Sequence, residues 1–224
     1  VTCYFAENLT RAYELLKQRK VALMIDPDGA VIREVKPAAV VDGILAKKNL
    51  GTIMDMAPFT VALGPGFTAG VDVHAVVETM RGHKLGRIIY EGNAIPNTGI
   101  PGAIAGVAKE RVIHAECAGV LYGEKKISDY VQKDEVIAYI YPDAQAKDAS
   151  GQREKDGAVA VKATISGILR GLIRDGYPVT KGFKIADIDP RESEYENCFT
   201  ISDKARCIAG GVLEALLHAG VLPE

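Results

Sequence analysis

Gly64-Pro65-Gly66-Phe67-Thr68-Ala69-Gly70 interrupts an apolar stretch, and Asp72 and His74, two side chains able to move protons, follow at once. Glycines let a backbone pass close to a ligand, and the N–H groups opening a helix point at an anion. Glu91 lies 21 residues after Gly70, about where a ribose-binding acid falls in a dinucleotide site. Imidazole titrates near neutrality, so His74 can act as acid or base. Pro65 and the wide Gly66-to-Gly70 spacing depart from the dinucleotide fingerprint. A tight strand-to-helix turn, with the glycines serving packing, is the plainer alternative.

Further polar residues fall where ligands collect in α/β proteins. Asp42 ends the apolar run Ala39-Val40-Val41, with Lys47 and Asn49 just beyond it; ligands sit past the carboxyl ends of such strands. The alternative is a solvated loop with a capping Asp. After Glu91, residues 92–102 form a Gly- and Pro-rich loop carrying Asn93, Asn97 and Thr98. These can donate to a ligand or hold the loop's own turns. Asp203 and Lys204 open the last helical run behind Ser202, a natural N-cap, and suit either an anion at the helix mouth or plain capping. Cys198 is the one motif cysteine to weigh for sulfur or selenium transfer, which requires a lowered thiol pKa.

The elements that must position these groups follow from apolar spacing. Residues 7–20 read as an amphipathic helix, Val21–Ile25 as a buried strand ending on the turn Asp26-Pro27-Asp28-Gly29, and Val31–Val35 as a short strand or a helical turn. Val61–Leu63, a helix over Val71–Met80 stopped by Arg81-Gly82, and a strand over Gly86–Tyr90 complete a mononucleotide-binding pattern. The fold class expected for residues 1–110 is α/β, Rossmann-like, with a largely parallel sheet.

From Arg111 the chain changes to short β runs that repeat. His114–Ile140 matches Lys162–Ile188 at an offset of 48, with identities including Gly119/Gly167, Leu121/Leu169, Val131/Val179, Lys133/Lys181 and Ile140/Ile188. The half-motif resembles the biotinyl/lipoyl-type barrel-sandwich family, which implies an all-β barrel-sandwich-hybrid-like domain over 111–190. Carrier members of that family modify a lysine commonly flanked by methionine. Lys147 and Lys155, in the stretch joining the halves, have no Met beside them, so a structural domain is expected. Residues 191–224 read as a loop and a C-terminal helix packing back on the α/β domain.

Composition excludes several classes. The 224 residues carry a net charge of −2, with 48% hydrophobic and 25% charged residues, so neither nucleic acid nor an acidic membrane surface is an expected partner. The four cysteines, Cys3, Cys117, Cys198 and Cys207, are scattered, which predicts no zinc site, no disulfide framework and a reducing cytoplasm. No apolar run is long enough to span a bilayer and no signal peptide is visible. The start at Val1 without Met suggests a missing upstream segment.

The long motif Leu63–Thr79, with 41–49, 81–83, 89–92, 96–102, 167–176 and Cys198–Ala205, resembles the YqeB-type accessory proteins of selenium-dependent molybdenum hydroxylase systems. The resemblance implies a cytoplasmic maturation factor whose partners are the molybdenum hydroxylase or its other maturation proteins. It also implies a Gly-rich segment upstream of this chain. The cofactor stays open among a nucleotide, a molybdopterin-related group and an oxyanion, held at Gly64, Pro65, Gly66, Phe67, Thr68 and Gly70. Monomer and homo-oligomer both remain open. Two rival readings are an NAD(P)-dependent oxidoreductase, against which the irregular glycine spacing counts, and a non-catalytic docking protein. Ligand binding at the glycine loop separates the last from the others.

Overall fold

The N-terminal helix is set by its cap. Asn8 Oδ1 accepts the Arg11 N–H at 2.9 Å, which starts α1 at Leu9 and gives the range Leu9–Lys17, shorter at both ends than apolar spacing predicts. Ala12 and Leu15 of this helix bury against Ala6, Ala22 and Met24. The strands on either side, β1 (Cys3–Phe5) and β2 (Val21–Leu23), pair in parallel, with Cys3 opposite Val21. Asp26 then accepts the Ala30 and Val31 N–H groups at 3.0 and 2.9 Å. That carboxylate resolves the next segment as a helix, α2 (Ala30–Val35).

The computed structural model describes residues 2–98, 106, 109–142 and 157–221. It forms two units, Val1–Asn97 with Asp203–Glu224, and Thr98–Ser202. In the first, β3 (Ala39–Asp42), β4 (Phe59–Leu63), β6 (Ala75–Val77) and β7 (Ile88–Ile89) form one sheet in the order β3-β4-β6-β7. The first two pairings are parallel and the third antiparallel. Between them, β5 (Thr68–Ala69) pairs antiparallel with β8 (Gly92–Asn93). The long C-terminal helix α3 (Asp203–His218) belongs to this unit.

Strand alternation sorts the sheet's residues onto two faces. Val61, Ala75 and Val77 pack with Ile208 and Ala215 of α3. Ala62 and Val76 face the other way, onto Phe67, Ala69, Val73 and Ala94. One face is therefore covered by a helix and the other by the glycine loop itself.

This overturns the Rossmann-like expectation. The β3–β4 and β4–β6 connections contain no α-helix, and β7 runs antiparallel to β6, so the sheet is small and mixed. The helix expected over Val71–Met80 is absent. Asp72 accepts the Thr68 N–H at 2.7 Å and Val73 O accepts the Gly70 N–H at 2.8 Å, closing a tight turn. The β-branched run that follows then enters the sheet as β6, as stiff χ1 side chains favour. Apolar length suggested a helix; the local carboxylate and the valines decided for a strand.

The second unit contains β9 (Val112–His114), β10 (Gly119–Gly123), β11 (Tyr130–Val131), β12 (Val136–Tyr141), β13 (Val159–Lys162), β14 (Gly167–Leu172), β15 (Tyr177–Val179) and β16 (Lys184–Asp189). They form two four-stranded antiparallel sheets, β13-β12-β10-β15 and β11-β14-β16-β9. β10 and β14 begin 48 residues apart, as do β12 and β16, and each sheet takes two strands from each repeat. Leu121, Ile137 and Ile140 share one core with Leu169, Ile185 and Ile188. A single repeat could not bury both of its faces. The barrel-sandwich expectation needs correction even so: the sheets are separate, each ends on edge strands, and none closes into a barrel. Lys147 and Lys155 lie outside the described residues.

Asp189, at the end of β16, is buried and holds this unit's polar network. It accepts the Arg191 side chain at 2.9 and 2.8 Å, the Arg191 backbone N–H at 3.1 Å and Arg170 at 3.3 Å. Burial alone would push its carboxyl up; the hydrogen bonds from Arg191, with Arg170 beside them, bring it down to about 2. Among the described residues no helix is long and apolar enough to cross a membrane.

Candidate functional site

The glycine loop is closed on itself. Gly66 has φ +110, and a Cβ there would lie 2.6 Å from Lys48 Cα. No side chain fits in that gap, so Gly66 is what lets the loop lie against the 47–48 backbone. Asn93 reaches across from β8 and donates to Phe67 O at 3.0 Å and Thr68 Oγ1 at 2.8 Å. With the Thr68 N–H taken by Asp72 and the Gly64 N–H by Val77 O at 2.9 Å, these polar groups serve the loop itself. Pro65 is half-buried, and Gly70 ends the turn. No helix begins behind the loop to direct N–H groups at an anion.

The acid–base candidates are likewise engaged. Thr60 N–H donates to His74 Nδ1 at 3.0 Å, and the ring packs 5.4 Å from Phe59, so His74 fastens the connection onto β4. Asp72 is the turn's own acceptor. Glu91 is exposed on the bend between β7 and β8. Asp42 is buried, taking the Ile44 N–H at 3.0 Å and the Thr52 hydroxyl at 2.6 Å. Asn49 accepts the Gly51 and Thr52 N–H groups, both at 2.8 Å, and donates to Thr52 O. Asp42 and Asn49 thus shape the 43–52 loop from inside. Asn97 and Thr98 are exposed in the irregular stretch after β8. Cys198 belongs to the second unit, and burial pushes its thiol up, with nearby Arg170 only partly offsetting this. That is opposite to what thiolate transfer chemistry requires.

Lys47 and Lys204 stand apart from this pattern of internal satisfaction. Lys47 adopts a left-handed backbone, φ +61, as does Leu45 at φ +58; such φ values are uncommon outside glycine and carry strain. Gly66 packs against the backbone of Lys47 and Lys48, and Lys47 itself is exposed. Lys204, in the first turn of α3, is half-buried. Burial lowers its ammonium pKa, and the neighbouring charges of Arg81 and Lys47 lower it further, with Glu78 opposing. Among the described residues Lys204 has no salt bridge. Arg81 is held by Asp203 in a bidentate pair at 2.7 and 2.9 Å, and Asp203 is pulled far down by that pair and by the Lys204 N–H. The mouth of α3 is therefore filled by its own Asp203, and the nearby cations without a salt bridge among the described residues are Lys47, Lys204 and Arg206.

Sequence reasoning missed Glu78 and Arg81. Glu78 is only 2% exposed, and its carboxylate accepts the Met80 and Ile95 N–H groups at 2.7 and 2.8 Å. With a helix expected over 71–80, Glu78 was not singled out. An acid directly after Ala-Val-Val was the available signal, since it marks the carboxyl end of a strand. Arg81 had served only as a helix stop. Among the described residues, no group of three or more His, Cys, Asp or Glu side chains could hold a metal ion.

No family model matches the chain. It is 48% identical to the uncharacterised protein YqeB of Escherichia coli (strain K12) over 224 residues, 99% of this chain and 38% of that protein. The chain therefore spans well under half of the curated relative's length. Among solved structures, a succinylglutamate desuccinylase from Silicibacter covers 73% of this chain and 50% of its own at 16% identity and a TM-score of 0.29. A succinylglutamate desuccinylase/aspartoacylase from Rhodobacter sphaeroides covers 44% and 29%, again at 16% identity and 0.29. Scores this low do not establish a shared fold.

Proposed function

We propose that the first unit binds a small anion at Lys47 and Lys204, with Arg81 and Glu78 fixing their surroundings, and that it does so as an accessory factor in maturation of a selenium-dependent molybdenum hydroxylase. The crowding of Lys204 carries the binding part of this reading. A half-buried ammonium beside two further cations is disfavoured in its charged form. An anion placed between Lys47 and Lys204 restores the balance that Asp203, already committed to Arg81, does not supply. The biological setting rests on the resemblance carried by Leu63–Thr79 and Cys198–Ala205. Molybdate and selenite are the small anions that setting brings within reach.

The arrangement favours binding over catalysis. Asp72 and His74 are tied to Thr68 and Thr60, and neither is bonded to a group that a ligand would have to displace from the cations. The oxidoreductase alternative needs an open glycine loop, whereas Gly66 rests on the Lys48 backbone.

Native mass spectrometry with molybdate, selenite and phosphate tests the binding reading, using the wild type beside a Lys47→Ala/Lys204→Ala double variant. A one-to-one adduct with at least one of these anions, lost in the variant, is the expected result. Adducts of equal strength in both proteins would remove these lysines from the site.

A further inference from the structure

The repeat in the second unit extends from sequence to contacts. Matching positions 48 apart exchanges its two sheets: β13-β12-β10-β15 becomes β9-β16-β14-β11, the other sheet read in reverse. The hydrogen bonds between the halves are reciprocal. Ser128 N–H donates to Leu169 O at 2.8 Å and Gly176 N–H to Leu121 O at 2.9 Å, each bond being the other displaced by one repeat. Ser128 even takes a left-handed backbone, φ +87, matching φ +74 at its counterpart Gly176. Contacts exchanged in this way are those of an isologous pair, so an approximate two-fold axis relates the halves.

A cavity of about 420 Å³ is lined by residues 123–127 of the first half and 172–175 of the second, segments that this symmetry exchanges. Its volume lies in the range of small-molecule sites. Lys126 and Arg174 occupy equivalent positions, so each half brings one cation to the lining. Lys125 is paired with Glu135, and Asp175 accepts the Gly123 N–H at 2.8 Å. Lys126 and Arg174 have no salt bridge among the described residues, and Glu124 is the one further acid of the lining. Both cations are held in place. Asp129 accepts the Lys126 backbone N–H at 2.8 Å, and the Arg174 guanidinium lies over the Tyr177 ring, 5.5 Å from its centre. Leu172 and Ile173 add apolar surface to the same cavity.

We propose that this cavity binds a small organic dianion, one negative group held by Lys126, the other by Arg174, and the carbon body lying over Leu172 and Ile173. Symmetry and charge select the class: two equivalent cations, one from each half, call for two anionic ends, and the apolar side chains call for carbon between them. The site belongs wholly to the second unit and does not depend on Lys47 or Lys204.

Calorimetric titration of the whole chain with glutarate, its half-amide and its diamide removes one carboxylate at a time from a fixed carbon body. Lys126→Ala and Arg174→Ala accompany the wild type, with Lys133→Ala/Lys181→Ala as a control pair that is also equivalent in the repeat but does not line the cavity. Glutarate is expected to bind one-to-one. Its affinity should fall about fivefold or more for each carboxylate removed and in each single variant, and stay unchanged in the control pair. No glutarate binding, or equal binding of the diamide, would overturn the proposal. Binding insensitive to both single variants would place the ligand elsewhere, and loss in only one of them would refute a ligand that bridges the halves. An equal loss in the control pair would refute the cavity in favour of general charge attraction. Circular dichroism of each variant checks that the fold is retained.

Discussion

Gly210 and Gly211 are adjacent on α3, and the packing gives them opposite fates. In an exposed helix interior Gly→Ala stabilises by roughly 0.5–1 kcal/mol, because alanine loses less backbone entropy on folding. Gly210 has open space where a Cβ would go, with no heavy atom within 4 Å. Gly210→Ala should therefore realise that gain. At Gly211 the added Cβ falls 2.2 Å from Gly86 O and 3.0 Å from Val77 Cγ1. A backbone carbonyl cannot swing aside as a flexible side chain does, so α3 must move off the sheet. Overpacking of this kind costs about 1–3 kcal/mol, which exceeds the propensity gain and leaves a net loss of roughly 1–2 kcal/mol. At about 4 °C per kcal/mol for a unit of this size, Gly211→Ala should lower the unit's melting temperature by around 4–8 °C and Gly210→Ala raise it by around 2–4 °C. Differential scanning calorimetry reads both shifts. Hydrogen exchange on Ile208–Leu216 assigns them to α3. Two shifts of the same sign would refute the packing of this helix on β6 and the Gly86 turn.

Other consequences are equally open to measurement. Asp189→Ala should destabilise the second unit by about 3 kcal/mol, since it strands Arg170 and Arg191 beside a buried position; urea denaturation reports the loss. The same carboxyl, depressed to about 2 in the folded chain from an ordinary 3.8, contributes stability that is complete above pH 4 and fades as pH falls toward 2, and Asp189→Asn should flatten that stretch of the stability–pH curve. Cys198, its thiol pushed up by burial, should alkylate with iodoacetamide at pH 8 more slowly than exposed Cys3, as peptide mapping would show; the reverse order would reopen a role for it in sulfur or selenium transfer. Gly66→Ala should weaken anion binding without removing any charge, because the new Cβ displaces the 47–48 backbone, and titration of the variant with molybdate reads the change.

Local signals in the sequence located α1, β2, β3, β4 and α3 to within a few residues, because each rests on a local cap or a short apolar run. Ala39–Asp42 and the helix after Ser202 are the clearest instances. The buried strand expected at Val21–Ile25 is corrected: Val21, Leu23 and Ile25 are exposed. Residues 71–80 were misread because apolar length was weighed above the Asp72 turn and the β-branched run behind it. That single misreading produced the Rossmann-like expectation, moved Asp72 and His74 to a helix start that does not exist, and hid Glu78. The 48-residue periodicity was legible in residues 114–188, but the pairing of strands between repeats and the separation into two open sheets depend on long-range contacts that no local pattern encodes. Of the candidate site, Lys47 and Lys204 were each visible as a lysine near an element's end. Their convergence across 157 residues of chain depends on α3 covering the β3-β4-β6-β7 sheet, which is a tertiary fact.

The account turns on Lys204 as a crowded cation that an anion relieves. Its ammonium can be followed by NMR titration of the ¹³Cε-labelled side chain, assigned by comparison with Lys204→Ala, first alone and then with saturating molybdate and with phosphate. The account predicts a midpoint below that of an ordinary lysine in the free protein, rising when at least one of these anions is bound. An ordinary midpoint that neither anion moves would contradict it.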